Sequence, residues 1–223
     1  MKLIRHALAA LIYVSPAAQA QTAPTPSEIA AYTGLHKAAA DGDAAAAEAL
    51  IASAANLNAR DGNGRTPFHV AAFVRNTDIM ARLAKAGADV NALDADLYDA
   101  VTIAAVADDV PTLKAALAAG NKAGNITSVY VGTALIAAAH LGHDEVVRTL
   151  IEAGAPLDHV NNLGWTALIE AVVLGDGGTR HQATVEALVR AGADRSIADR
   201  DGRTPQQLAK ERGYSKIEQL LGN

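Results

Sequence analysis

Apolar residues along the chain fall into pairs of short helical segments that recur at a nearly constant interval. In the clearest pair, residues 66–74 are followed by Ile79, Met80 and Leu83, whose spacing places them on one face of a helix. The second segment ends at Ala86-Gly87-Ala88, and glycine there is a common helix stop. A polar stretch suited to tight turns follows. The pattern predicts an all-α chain of helix–turn–helix units joined by β-hairpin-like loops.

Two independent markers give the same repeat length. The residue that starts each first helix recurs at intervals of 33, 33, 34, 33 and 38 residues, and the glycines that end the second helices repeat in step with it. The helix-starting residues are Thr33, Thr66, Asp99, Thr133, Thr166 and Thr204. The predicted units span residues 33–65, 66–98, 99–132, 133–165, 166–203 and a short cap at 204–223.

Several phrases within these units resemble the ankyrin repeat family. Residues 66–72 are Thr-Pro-Phe-His-Val-Ala-Ala, residues 86–92 are Ala-Gly-Ala-Asp-Val-Asn-Ala, and residues 150–155 are Leu-Ile-Glu-Ala-Gly-Ala. They fall in the family's order and at its period, and the resemblance covers residues 33–223. It implies an ankyrin-repeat solenoid with a concave face that binds proteins. It also implies that His36 and the histidine of the 66–72 segment bridge neighbouring repeats.

Three units depart from the family pattern. Unit three starts with Asp99, lacks the proline and histidine, and has one extra residue within 121–132, so we expect it to be the least stable unit. Unit five has five extra residues near 175–179, between its two helices, and we expect this turn to protrude. Unit six has a polar surface around a reduced apolar face, which suits a terminal cap that shields the stack from water.

Residues 1–20 have the pattern of a bacterial export signal. A basic start precedes the apolar stretch 7–14, and Ala18-Gln19-Ala20 fits a signal-peptidase site with cleavage after Ala20. Eight apolar residues are too few to span a bilayer, which takes roughly 20. We therefore expect a periplasmic protein without membrane insertion after cleavage. Residues 21–32 are predicted to form a linker and a short N-terminal helix, capped by the Thr-x-x-Glu pattern at 25–28.

Composition and charge narrow the classes of function. The 24 acidic residues outnumber the 19 basic ones, and no basic run is present, so we expect no nucleic-acid partner. The chain has no cysteine, which excludes disulfides, thiolate zinc sites and cysteine nucleophiles. It also lacks the phosphate-binding, dinucleotide-binding, serine-hydrolase and zinc-protease motifs. We expect a non-enzymatic protein without a cofactor.

Candidate partner-binding residues are those that the ankyrin resemblance places on the concave face, just before each helix start or late on each first helix. Aromatic residues make up only 4% of the sequence but are concentrated there, and Tyr, Trp and Arg dominate interface hot spots. The predicted set is Arg65, Phe73, Tyr98, Tyr130, His140, Leu141, Leu163, Trp165 and Arg203. The alternative is that these side chains pack into the stack or shield backbone.

The leading hypothesis is an exported, monomeric scaffold that binds another protein in its groove. Resemblance to exported bacterial ankyrin proteins implies an accessory factor for a periplasmic enzyme in oxidative-stress defence, or an immunity protein, and the residues select neither. A rival hypothesis is a carrier of haem or another small ligand, with His140 as axial ligand near Tyr130. The spacing of His140 and His143 also suits metal ligands, although a turn explains His143 better. Self-association through an imperfect cap is a third alternative.

Overall fold

The computed structural model describes residues 21–222, so the predicted export signal at residues 1–20 lies outside the described residues. Within this range the chain forms thirteen helices and one isolated β-bridge, between Thr127 and Gly132. Helix α1 (Pro26–Ala31) precedes six helix pairs, which confirms the all-α repeat prediction. The pairs are α2 (Gly34–Asp41) with α3 (Ala44–Ala52), α4 (Pro67–Phe73) with α5 (Thr77–Lys85), α6 (Ala100–Val106) with α7 (Val110–Ala118), α8 (Ala134–Leu141) with α9 (Asp144–Glu152), α10 (Ala167–Val173) with α11 (Thr179–Arg190), and α12 (Pro205–Glu211) with α13 (Ser215–Gly222).

Most of the first helices begin at the capping residues that the sequence predicts. The side chain accepts a hydrogen bond from a backbone N–H three residues later at Thr66, Thr133, Thr166 and Thr204. In unit three, Asp99 Oδ1 accepts from both the backbone N–H and the hydroxyl of Thr102, each at 2.8 Å. Its Oδ2 accepts from the amides of Asn121 and Asn125. Asp99 is therefore a capping residue too, and the lower stability of unit three stays a prediction.

Small side chains let the first helices approach one another closely. The fifth residue after each helix-starting position is a buried alanine, at most 3% exposed: Ala38, Ala71, Ala104, Ala138, Ala171 and Ala209. The first helices α2, α4, α6, α8, α10 and α12 contact one another in chain order, and the second helices form a parallel layer in the same way. The core lies between these layers, where Phe68 and Leu135 from the first helices meet Leu113 and Leu150 from the second.

Two buried histidines bond the last residue of their own unit, directly before the first helix of the next, whereas the family resemblance implies bridges between neighbouring repeats. His36 Nε2 lies 2.9 Å from the carbonyl oxygen of Arg65, and His69 Nε2 lies 3.1 Å from that of Tyr98. The Nδ1 atom of His69 accepts a hydrogen bond from the backbone N–H of Thr66, so its Nε2 carries the proton and donates to Tyr98. Burial lowers the pKa of His69, which favours this neutral form.

The hairpin loops contact one another at their tips through backbone hydrogen bonds. Ala95 N–H donates to Asn63 O, Ser128 N–H to Leu97 O, and Asn162 N–H to Tyr130 O, at 2.9–3.0 Å. At the base of four hairpins, one side-chain oxygen accepts from two backbone N–H groups of the same loop, in Asp61, Asp94, Asn161 and Asp199. These bonds hold successive hairpins at a fixed spacing along one edge of the stack.

The extra residues of unit five lie between α10 and α11, but the expectation of a protruding turn is wrong. Gly175 is buried, and its carbonyl oxygen accepts a hydrogen bond from Tyr214 Oη at 3.0 Å. The ring nitrogens of His181 lie 2.8 Å from Asp176 Oδ1 and 2.9 Å from the carbonyl oxygen of His140. Helix α11 has 12 residues where α9 has nine, so part of the insertion forms helix. The loop folds back because the stack bonds its polar groups.

The glycine after α9 is expected to be essential for stability. Gly154 has a φ of 79°, a left-handed conformation that costs about 1–2 kcal/mol for other residues and more for a β-branched one. Gly154→Val should therefore lower the free energy of unfolding by about 2 kcal/mol in urea denaturation. The control is Gly62→Val, which should leave the unfolding midpoint nearly unchanged. The φ of Gly62 is not left-handed, and within the residues that the structure describes no atom lies within 4 Å of an added Cβ. Equal midpoints for the two variants would contradict this account.

Candidate interaction surface

The residues predicted to bind a partner separate into accessible and buried groups. Leu163 is exposed, and the half-buried members are Phe73, Tyr130, His140, Leu141, Trp165 and Arg203. These line the face made by the hairpins and the ends of the first helices. Arg65 is 0% exposed and Tyr98 is 9% exposed. The expectation that Arg65 and Tyr98 present their side chains to a partner is therefore wrong.

Arg65 is covered by the segment that precedes the first repeat. Its Nε donates to Asp61 Oδ2 at 2.7 Å, its Nη2 donates to Glu28 Oε1 at 2.5 Å, and its Nη1 donates to the carbonyl oxygen of Thr22 at 2.8 Å. Tyr32 Oη also donates to Asp61, at 2.6 Å, and burial with this acceptor raises the pKa of Tyr32. Arg65 is buried because Glu28 lies outside the repeats, and no repeat pattern shows where Glu28 packs.

The second arginine of the predicted set is also held by carboxylates, from its own unit and from the next. Arg203 Nη2 lies 2.7 Å from Asp199 Oδ2 and 2.9 Å from Asp201 Oδ2, and its Nη1 lies 3.6 Å from Glu211 Oε2. The guanidinium is part of an ion-pair network at the C-terminal end of the stack. The accessible groups between the two arginines are therefore mainly aromatic and aliphatic.

Exposed aliphatic side chains form a ridge across three successive hairpins. The hairpin ridge consists of Leu97, Val129, Val131, Val160 and Leu163, whose exposed fractions range from 36% to 60%. The tip-to-tip backbone bonds hold the three hairpins side by side, so these residues are neighbours. Exposed aliphatic side chains on adjoining hairpins make this edge a candidate interaction site. Only Leu163 was predicted, because aliphatic residues in a loop have neither helical nor strand periodicity to distinguish them.

Two ridge residues have a backbone conformation that other units reserve for glycine. Leu97 and Val131 stand two residues before their helix starts, with φ of 65° and 56°. The same hairpin position holds Gly64, Gly164 and Gly202, all with positive φ. Left-handed φ is uncommon for leucine and a marked outlier for valine. The two most strained positions of the hairpins thus coincide with exposed aliphatic side chains.

A buried carboxyl lies behind the groove between units four and five. Glu170 is 4% exposed, in a column where Val70 and Ile103 are apolar. Its Oε1 accepts a hydrogen bond from Asn161 Nδ2 at 2.8 Å, whereas Oε2 has no hydrogen-bond partner among the described residues and lies 3.8 Å from His140 Nδ1. Burial raises the pKa of Glu170 to about 7 and lowers the pKa of His140. The same helix position is apolar in every other unit except the first, where the Lys37 side chain is 45% exposed, so the charged residue within the stack is the sequence signal that identifies Glu170.

The histidines proposed as metal or haem ligands do not form a common site. His143 Nδ1 lies 2.9 Å from the carbonyl oxygen of Ala105, whereas His140 faces Glu170. In the part of the chain that the structure describes, no three His, Cys, Asp or Glu side chains are placed to hold a metal ion. The haem-carrier hypothesis therefore gains no ligand beyond His140 and Tyr130. No helix between residues 21 and 222 is long and apolar enough to cross a membrane.

Comparison with known proteins agrees with the paired helices and the repeating hairpins. A family model described as ankyrin repeats in three copies matches residues 7–94 and 101–199. This chain belongs to the ankyrin repeat family. The ankyrin repeat protein YahD of Escherichia coli strain K12 is 34% identical over 185 residues, which cover 82% of this chain and 92% of YahD.

Two solved ankyrin structures show the same fold. An ankyrin repeat domain from Acinetobacter baumannii AYE matches with a TM-score of 0.78 and 44% identity, over 84% of this chain and 95% of that one. A second ankyrin repeat protein matches with a TM-score of 0.76 and 30% identity, over 86% of this chain and 98% of that one. Ankyrin repeat proteins are generally non-enzymatic interaction modules, and the family supports a protein-binding scaffold.

We expect the buried guanidinium of Arg65 to be necessary for the stability of the N-terminal end of the ankyrin stack. Arg65→Met leaves Asp61 and Glu28 without their partner, and loss of one member of a buried ion pair costs about 3 kcal/mol. Arg75→Met is the matched control, since that side chain is 66% exposed and its pair with Asp109 contributes at most about 1 kcal/mol. Urea unfolding measures both losses, and similar losses in the two variants would refute the assignment.

The raised pKa of Glu170 makes the stability of the stack depend on pH. A carboxyl whose folded-state pKa is about 7 instead of 4.5 opposes folding where the unfolded form is ionised, so stability falls as pH rises between these values. Glu170→Gln should not show this pH dependence. Relative to the wild type, its free energy of unfolding should increase by about 3 kcal/mol between about pH 5 and pH 8. Exposed Glu152→Gln serves as the control, and parallel pH profiles for wild type and Glu170→Gln would exclude a buried acid.

Proposed function

We propose that this ankyrin stack is a non-catalytic scaffold that binds another protein through the hairpin ridge. The observation that carries the proposal is the coincidence of exposure and backbone strain at Leu97 and Val131. A left-handed conformation costs about 1–2 kcal/mol for a residue other than glycine. Strain of this kind concentrates at ligand-binding positions, where the surrounding structure holds it in place.

The exposed side chains of Leu97 and Val131 do little for the fold itself. Each is more than 40% exposed, so it leaves much of its apolar surface in water, and glycine fits the same backbone in other hairpins. A bound protein would cover that surface and gain about 25 cal/mol for each Å² of apolar area removed from water. The ridge therefore supports a partner whose contact surface is apolar at its centre.

Aromatic side chains extend the ridge toward the helices. Tyr130 stands between Val129 and Val131, and Trp165 follows Leu163 by two residues; both rings are half-buried. Rings of this type bury large rigid areas at interfaces and keep a polar group for a hydrogen bond. At the other end, the segment that covers Arg65 occupies the first hairpin, so the accessible part of the surface begins near Leu97.

We also propose that the protein acts after export to the periplasm, with cleavage after Ala20. Support comes from the basic start, the apolar stretch at 7–14 and the small residues before the cleavage position. A role as accessory factor for a periplasmic enzyme or as an immunity protein would use the ridge in the same way, by holding one protein. Neither role requires catalysis by this chain.

The decisive experiment measures both the free energy of unfolding and partner capture in the double variant Leu97→Gly/Val131→Gly, so that the effect of backbone strain is separated from the effect on binding. Relief of about 1–2 kcal/mol of strain at each position, less the entropy that each glycine adds to the unfolded chain, should raise the free energy of unfolding by about 1–2 kcal/mol in total. Removal of the aliphatic groups should abolish partner capture. Capture is measured by crosslinking and co-purification from the periplasmic fraction of the source organism, with mass spectrometry and an absorbance scan that would detect haem.

The matched control relieves strain away from the ridge. Ala54→Gly replaces an exposed residue with φ of 59° outside the ridge, so it should also stabilise the fold but leave capture unchanged. If Leu97→Gly/Val131→Gly still captures the same protein as the wild type, the ridge is not the binding surface. A haem absorbance band without a protein partner would instead favour the carrier hypothesis.

A further inference from the structure

Corresponding positions in successive units place one groove residue just before each first helix, and one of these residues has no side chain. The residue immediately before each helix start is large in five places and is glycine just before unit four: Tyr32, Arg65, Tyr98, Gly132, Trp165 and Arg203. In unit one this side chain covers the polar residue at the base of the hairpin, because Tyr32 Oη donates to Asp61 at 2.6 Å. Asn161 is the counterpart of Asp61 in unit four. Gly132 is itself buried, but it has no side chain that could cover Asn161 as the Tyr32 ring covers Asp61 in unit one.

The polar group behind this gap has an unsatisfied acceptor. The Asn161 amide is bonded to Glu170 Oε1 at 2.8 Å, and Asn161 Oδ1 accepts from backbone N–H groups of its own hairpin. The Glu170 side chain is only 5% exposed, and within residues 21–222 its Oε2 has no hydrogen-bond partner. A buried polar atom without a partner typically costs about 1–3 kcal/mol, so a donor supplied from outside would bind favourably. The nearest titratable group to it is His140, at 3.8 Å and one-fifth exposed.

We propose that Gly132, His140 and Glu170 form a subsite for one arginine side chain of the protein held on the hairpin ridge. The inference rests on the proposed protein-binding function and adds the chemistry of one contact. The guanidinium would enter the space above Gly132, displace the His140 ring and donate to Glu170 Oε2. Arginine suits this place because its planar donor group pairs with carboxylates and stacks on aromatic rings such as that of the half-buried Trp165 in the same column.

Two arginines near the end of unit five have other partners than Glu170. Arg203 is paired with Asp199 and Asp201, and Arg200 donates to the carbonyl oxygen of Asn162. The sequence as a whole has a net charge of −5, which also favours a basic segment on the partner.

The protonation of Glu170 sets the direction of the pH dependence. Burial raises its pKa to about 7, and an arginine needs the ionised form, so affinity should rise with pH through this value. His181 on α11 bonds the His140 carbonyl oxygen. The titratable groups on the helices packed against α10 are His140 on α8, Arg180, His181, Glu186 and Arg190 on α11, and Lys210 and Glu211 on α12. Burial also lowers the pKa of His140, which favours the neutral form of its ring.

The test uses n-butylguanidinium as the probe, with n-butylurea as its uncharged counterpart, and follows the His140 ring resonances by NMR. A saturable shift is expected with the cation and not with the urea, and the affinity should increase about tenfold between about pH 6 and about pH 8. Glu170→Gln should abolish the saturable shift while it keeps the Asn161 contact. Gly132→Tyr should do the same by filling the space, since an added Cβ there meets no atom closer than 3.5 Å.

Two control variants change the same residue types elsewhere. Glu152→Gln removes an exposed carboxylate, and Gly62→Tyr adds a ring in a hairpin with no described atom within 4 Å of the new Cβ. Both should bind the probe as the wild type does. Absence of a saturable shift in the wild type, or a shift that survives Glu170→Gln, would overturn the subsite. Partner capture by the ridge variants is scored separately, so failure of the subsite and failure of the protein-binding function are distinguishable.

Discussion

The close approach of successive first helices, made possible by one buried alanine in every unit, is the constraint on which the rest of this structure depends. A single helix pair cannot bury its own apolar face, so each unit is stable only against its neighbours. Because the alanines keep that separation constant, the buried histidines reach the residue just before the next helix start and the hairpin tips meet in register. The spacing of the exposed side chains along the groove is therefore set by the alanine contacts between the first helices.

The positions of greatest functional interest are those where the chain departs from the repeat. Leu97 and Val131 stand where other hairpins have glycine, Glu170 stands in an apolar column, and Gly132 stands where other units have a large side chain. Each departure is locally unfavourable or leaves a local contact unmade. Their concentration in units two to five contrasts with the closed N-terminal end, where Arg65 and Glu28 satisfy one another.

Much of this fold was predictable because its determinants are local. Capping residues, helix periodicity and left-handed glycines act over a few residues, so the helix pairs and the Thr25–Glu28 capping box appear in the structure as expected. The burial of Arg65 was not predictable, because it depends on a contact with Glu28 across 37 positions. The ridge valines and Glu170 were detectable only by aligning the units with one another, since neither has a distinctive sequence environment of its own.

The tip-to-tip hydrogen bonds along the hairpins have a mechanical consequence. Backbone bonds of 2.9–3.0 Å make that edge nearly inextensible, whereas the helical layers are joined by side-chain packing that permits small tilts. We therefore expect the stack to bend by tilting of its helices, while the bonded hairpins stay at fixed distances from one another. Side chains on the bonded hairpins keep their mutual distances while the helices tilt. This surface therefore presents a partner with contact positions at a constant spacing.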